Sequence, residues 1–209
     1  MVKQSKEYQV DEIEVDDISL LDPAGTYSYS DYLKWRFEER VELIKGKLFR
    51  MSPAPNRGHQ GVNRNILVDF SNYLKGKACK VYGAPFDVRF PEKKGLSDKQ
   101  TFTVVQPDIC VVCNTEILDD AGCNGAPDLI VEILSPSTSK KDLSNKFDLY
   151  EEFKVKEYWV VYQTEQIVEV YYLVNDKYSS SKKYLPGDKV ETGVLEGINL
   201  MVDEIFSDL

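Results

Sequence analysis

Two carboxylates stand where apolar side chains are expected. Asp108 follows Pro107 within Val104-Val105-Gln106-Pro107-Asp108-Ile109-Cys110-Val111-Val112, and Glu132 lies inside Leu129-Ile130-Val131-Glu132-Ile133-Leu134. Both runs read as central strands covered on both faces. An ionised side chain left alone there costs several kcal/mol or takes up a proton instead. If adjacent strands bring the two acids together, a hard divalent cation satisfies both. Mg²⁺ is held by one or two carboxylates, a backbone carbonyl and waters. The competing reading is a pair of strand-end acids capped by backbone N–H groups or solvent.

Three further residues break the patterning. At about 100° per residue, Leu143, Phe147, Leu149, Tyr150 and Phe153 form one arc of a helix. Ser144, Asn145, Asp148, Glu151 and Glu152 fill the opposite arc. Lys146 falls in the middle of the apolar arc and must reach solvent or meet a partner. Asp142, one turn earlier, is one partner; a metal-site carboxylate or a scissile phosphate is the other. His59, the sole histidine, shares a helical arc with Val62, Ile66 and Phe70. It reads as a structural or supporting group that can also titrate near neutral pH. Glu42 interrupts Val41-Glu42-Leu43-Ile44 in an edge hairpin, where facing solvent is the simple reading.

Of the four cysteines, Cys110 and Cys113 have half of a zinc-site spacing. They lie on a strand, however, where positions three apart point to opposite faces. The expectation for Cys79, Cys110, Cys113 and Cys123 is therefore buried free thiols.

The elements that must position these groups follow from periodicity and turn residues. Residues 1–25 are acidic and form an expected arm, followed by a single domain over 26–209. Ser30 is placed as the N-cap of a short helix over 31–39. Residues 41–51 read as a hairpin turning at Lys45-Gly46, and Ser52-Pro53-Ala54-Pro55 ends it. A helix over 59–74 follows, then strands over 80–90, 104–112 and 128–134, the last stopped by Ser135-Pro136-Ser137-Thr138. A polar loop over 92–100 separates the first two of these strands. A helix over 143–153, a buried strand over 157–162 and a late hairpin (167–174 with 177–184) complete the chain. One sheet flanked by helices, in an α/β or α+β domain, fits this order.

At 209 residues the chain is long enough for one sizeable core. Its 42% hydrophobic and 29% charged residues are those of a soluble globular protein. No apolar run approaches the ~20 residues of a membrane helix, and the first residues lack the apolar stretch of a signal peptide. A cytoplasmic location with no membrane partner is expected. The net charge of -9 has the wrong sign for whole-surface binding of nucleic acid, but leaves room for a local basic groove.

Pro107-Asp108 with Glu132-Ile133-Leu134 resembles the PD-(D/E)XK motif of the restriction-endonuclease-like nucleases. A wider set of segments resembles the Uma-two family of that superfamily across about residues 27–205. They are Glu42-Leu43-Ile44-Lys45-Gly46-Lys47-Leu48, Met51-Ser52-Pro53, His59-Gln60, Gln106-Pro107-Asp108, Val131 to Thr138, Lys146 to Tyr150, and Glu157 to Val161. The resemblance implies a mixed sheet with an αβββαβ core, flanking helices and terminal hairpins. It also implies metal-dependent hydrolysis of DNA, with Asp108 and Glu132 as ligands of Mg²⁺ or Mn²⁺. In the mechanism that would follow, Glu42 and His59 are expected nearby, as a second metal ligand or an orienting group. The products would be a 5′-phosphate and a 3′-hydroxyl. In one place the chain departs from the motif: the lysine expected two residues after Glu132 is Leu134. Lys146 is the candidate to replace it. The alternative is a degenerate nuclease fold that serves as a binding or assembly module. A homodimer would suit paired cutting of a duplex, and Ile167 to Tyr172 could supply its edge.

Overall fold

The computed structural model describes residues 14–51, 55–134, 140–178, 180–207 and 209, and for 140–142 the backbone alone. Most of the expected arm (residues 1–13) and the stop segments after residues 51 and 134 lie outside the described residues. Val15, within the arm, forms a bridge with Trp35.

The first helix corrects the sequence expectation. It is the single turn α1 (Tyr29–Tyr32), capped by Ser28 rather than Ser30. The Ser28 hydroxyl accepts from the Asp31 N–H, and the Asp31 carboxylate accepts from the Ser28 N–H. This reciprocal cap fixes the start two residues early. Strands β1 (Val41–Ile44) and β2 (Lys47–Arg50) form the expected hairpin. Lys45 and Gly46, both at positive φ, make its turn. Helix α2 (Arg57–Leu74) begins at Asn56, whose side chain accepts the His59 N–H. That cap places His59 in the first turn, facing inward.

The two runs expected as long strands are each broken. Residues 80–90 give β3 (Lys80–Gly83) and β4 (Val88–Arg89). Residues 104–112 give β5 (Val104–Val105) and β6 (Ile109–Val112). Pro85 and Pro107 lie at the breaks, where a residue without an N–H ends a ladder. The halves join different sheets, so the expected single sheet is in fact two. β7 (Leu118–Asp119) and β8 (Gly122–Asn124) complete the smaller layer, with order β2-β1-β5-β4-β8-β7.

The second sheet contains the long strands. β9 (Leu129–Leu134) leads through helix α3 (Lys140–Glu152) to β10 (Glu157–Tyr162), which pairs with β9 in parallel. β11 (Ile167–Tyr172) and β12 (Ser181–Tyr184) follow antiparallel, giving the order β12-β11-β10-β9-β6-β3. The succession α2-β3-β6-β9-α3-β10 is the αβββαβ core. A short terminal helix, α4 (Val202–Ile205), closes the chain. The late hairpin also differs from expectation: β11 lies between β10 and β12, so residues 167–172 offer no free edge.

Strand alternation splits the core into two layers. Ile109, Val131 and Trp159 meet Val62, Ile66 and Phe70 of α2. Cys110, Ile130 and Val160 meet Leu149 and Tyr150 of α3 together with Val88 and Val105 of the smaller sheet. Both faces of β9 and β10 are covered, as their nearly continuous apolar sequences require. Cys79 and Cys113 form a disulfide, which corrects the expectation of four free thiols; Cys110 and Cys123 are free and buried. Cys113 packs in the α2 layer and Cys110 in the α3 layer, so the pair cannot chelate one ion. No described helix is long and apolar enough to cross a membrane.

Candidate active site

A cleft of about 140 Å³ opens between the two sheets where the chain passes from one to the other. Asp108 stands at that crossing, after β5 of the smaller sheet and before β6 of the larger one. The register pairing Ile109 with Val131 sets Asp108 level with Glu132, one residue beyond the end of the paired stretch. Glu42 comes from β1, the neighbour of β5. Lys146 comes from α3 and His59 from the first turn of α2. All five line the same cleft.

The contacts are specific. The Lys146 Nζ lies 2.9 Å from Glu132 Oε1 and 3.1 Å from Glu42 Oε1. Tyr150 donates its hydroxyl to the same Glu132 oxygen at 2.7 Å. Glu42 Oε1 also accepts the Gln106 N–H at 2.9 Å. Asp108 Oδ2 accepts the Ile133 N–H at 2.7 Å and lies 3.3 Å from His59 Nε2. Glu42 is only 6% exposed, on a strand flanked by β2 and β5, which corrects the expectation of an edge residue facing solvent. The Asp142 side chain, the competing partner for Lys146, lies outside the described residues.

The electrostatics follow from burial and crowding. Burial pushes the Glu132 carboxyl up to about 7; Lys146 opposes the rise, Asp108 and Glu42 add to it, and Tyr150 opposes it. Burial would lower the Lys146 pKa, but Glu132 and Glu42 outweigh it and hold the ammonium firmly charged. Burial would also lower that of His59. The hydrogen bond and charge of Asp108, the charge of Glu132 and the Ile133 carbonyl reverse the sign, so it is raised.

Among the described residues three carboxylates thus share one lysine and one histidine, an acidic excess in a poorly solvated place. His59 Nδ1 and the Tyr158 hydroxyl, both buried at this cleft, find no hydrogen-bond partner among the described residues. The donor set fits a hard divalent cation: two carboxylates, Asp108 and Glu132, at one level, with the Ile133 carbonyl following. Among the described residues no three His, Cys, Asp or Glu side chains form a closed cage. Mg²⁺ does not need one, because it keeps several waters. Tyr150 was the contributor that patterning missed. Its signal was its place one turn after Lys146 on the same helix face.

Comparison with known proteins follows the same line. The family model Uma2, described as "Putative restriction endonuclease", matches residues 29–203. A protein of Synechocystis sp. described as "Uncharacterized protein slr1290" is 26% identical over 190 residues, covering 90% of this chain and 95% of that protein. The crystal structure of a putative nuclease belonging to DUF820, from Anabaena variabilis, superimposes with a TM-score of 0.69 at 21% identity. The match covers 87% of this chain and 98% of that one. At that identity the likeness establishes a shared fold.

Proposed function

Taking as premise that this chain belongs to the Uma2 family of putative restriction endonucleases, we propose that it is a divalent-metal-dependent endonuclease hydrolysing DNA phosphodiester bonds. The observation that carries this reading is the meeting of Glu132 of β9, Glu42 of β1, Lys146 of α3 and Asp108 of the β5–β6 connection in one cleft. Asp108 and Glu132 would hold Mg²⁺ or Mn²⁺. The ion, when bound, supplies Lewis-acid stabilisation of the phosphate and a more acidic water.

The remaining work falls to the chain's own groups. The Lys146 ammonium, kept charged by Glu132 and Glu42, faces the negative charge that builds on phosphorus during attack. It takes the role that Leu134 cannot. Tyr150 and Lys146 together fix the Glu132 carboxylate, and His59 with the Ile133 N–H fixes that of Asp108, so neither reorients during the reaction. Glu42, held by the Gln106 N–H, orients Lys146. Water attacks phosphorus, the P–O3′ bond breaks, and the products carry a 5′-phosphate and a 3′-hydroxyl.

Nicking of supercoiled plasmid with Mg²⁺ or Mn²⁺ tests the proposal. Wild type is expected to nick and Asp108→Ala to be inactive. No nicking by wild type, or full nicking by Asp108→Ala, overturns it and leaves the non-catalytic binding module. Titration calorimetry with Mg²⁺ provides an independent arm, in which Glu132→Ala is expected to abolish binding.

A further inference from the structure

The acidic groups occupy one part of the cleft, and much of the remaining wall is apolar. Ile44, Phe49, Met51, Leu134 and Leu143 line it, together with the ring of Tyr158. Phe49 pairs directly with Glu42 across the β1–β2 ladder, so both side chains project from the same face of the hairpin. A half-buried aromatic side chain therefore stands beside the carboxylate that holds Lys146. The sugar–phosphate backbone of an intact duplex offers nothing to fill such a wall. An unstacked base does, because every base has an apolar face suited to an aromatic ring. The Tyr158 hydroxyl, buried and without a partner among the described residues, adds a polar group at this wall, suited to the edge of a base.

Charge points the same way. Gripping a duplex relies on many phosphate contacts from Lys and Arg. Among the described residues, the cations lining the cleft are Arg40, Arg50 and Lys146, the last already paired with Glu132 and Glu42, in a chain of net charge -9. That set is enough for about two or three phosphates of a flexible strand.

Resting on the nuclease reading above, we infer that the substrate is unpaired nucleic acid, single-stranded or locally melted. A base next to the scissile phosphate is inserted between Phe49 and the Leu134–Leu143 wall. The binding free energy comes largely from this stack and little from counterion release.

The test compares a single-stranded oligonucleotide with its matched duplex, using the full chain with Mg²⁺ or Mn²⁺. The single strand is expected to be cut at least tenfold faster. Replacing one base by an abasic residue is expected to suppress cleavage at the adjoining phosphate alone. Phe49→Ala should raise KM about tenfold, the loss of roughly one stack, with kcat less affected, and Phe49→Tyr should restore it. Binding of the single strand to Asp108→Ala should show a log–log salt slope near -2, from about three contacts at ~0.7 each. Equal or faster cutting of duplex, or indifference to the abasic position, overturns this inference and leaves the nuclease reading intact. Failure of wild type to cut either form, while Asp108→Ala binds both equally, overturns both.

Discussion

The Lys146 ammonium bridges Glu132 and Glu42 at 2.9 and 3.1 Å, with Lys146 on the crossover helix α3 and Glu132 on the strand β9 that precedes it. This bridge joins the two sheets at the cleft, because Glu42 belongs to the smaller sheet and Glu132 to the larger. It is a structural tie as well as a candidate catalytic group. Removing one member of a buried ion pair is strongly destabilising, since the remaining charge is left without a partner.

Lys146→Met is therefore expected to lose plasmid nicking by at least a hundredfold and to destabilise the fold by about 3–5 kcal/mol at pH 8. The sign of the pH dependence follows from Glu132. Its folded pKa is raised, so its favourable contribution is complete below the unfolded carboxyl value and disappears as pH rises through about 7. Without Lys146 the proton is held more tightly, and the stability deficit should be smaller at pH 6 than at pH 8. Urea unfolding at both pH values measures it. A deficit independent of pH, or nicking that survives, would contradict this account of the bridge.

His59 touches Asp108 and is assigned a positioning role. Loss of such a supporting group typically costs 10–100-fold in metal affinity or activity. His59→Ala should weaken Mg²⁺ binding by that factor in calorimetry while leaving Asp108→Ala weaker still. If His59→Ala binds Mg²⁺ as wild type does, the histidine serves packing alone.

Much of this site was legible in the sequence for one reason. A charged residue inside an apolar run announces a partner, and Asp108, Glu132 and Lys146 each sit in such a run. Which partner each meets depends on the strand register and on the α3 crossover, neither of which a single sequence states. Glu42 was misplaced because hairpins usually lie at sheet edges, whereas β5 pairs with β1 and closes over it. The two-sheet division was hidden because Val104 to Val112 is apolar apart from Gln106 and Asp108 and reads as one strand. Only Pro107 marked the point where the ladder changes partners. The Cys79–Cys113 bridge joins residues 34 apart, which spacing alone could not pair.

That bridge gives a measurable expectation. Closing a loop of this length restricts the unfolded chain by about 3–4 kcal/mol. Cys79→Ser, or reduction with dithiothreitol, should lower the melting temperature by several degrees, with no further effect when the two are combined. An additional fall on reducing Cys79→Ser would show that other thiols are involved.

Acid sensitivity should come partly from Asp119. Burial would raise its pKa, but the hydrogen bond and charge of the buried Arg89, with the Ala121 and Gly122 N–H groups, lower it. A lowered carboxyl contributes stability that is present above the unfolded value of about 4 and is lost as pH falls through the folded one. Because about half of the Asp119 side chain is exposed and solvent screens the pair, Asp119→Asn is expected to cost only about 0.5–1 kcal/mol at pH 7, and almost nothing at pH 2. Thermal melts at the two pH values provide the check, and an equal cost at both would refute it.

The last prediction concerns Leu134. Residues two apart on a strand share a face, so a lysine at 134 would project beside Glu132, where the superfamily motif places it. Leu134 is only partly buried and lines the cleft, so the longer side chain has an exit for its stem. If Lys146 acts as the relocated motif lysine, the double variant Leu134→Lys/Lys146→Met restores the charge from a different element. It should nick plasmid at least tenfold faster than Lys146→Met, while staying below wild type because Glu42 loses its ammonium partner. Leu134→Lys alone adds a second cation among three acids and should leave nicking within a fewfold of wild type. A double variant that folds as well as Lys146→Met yet nicks no faster would mean that Lys146 supports the cleft without taking part in the reaction.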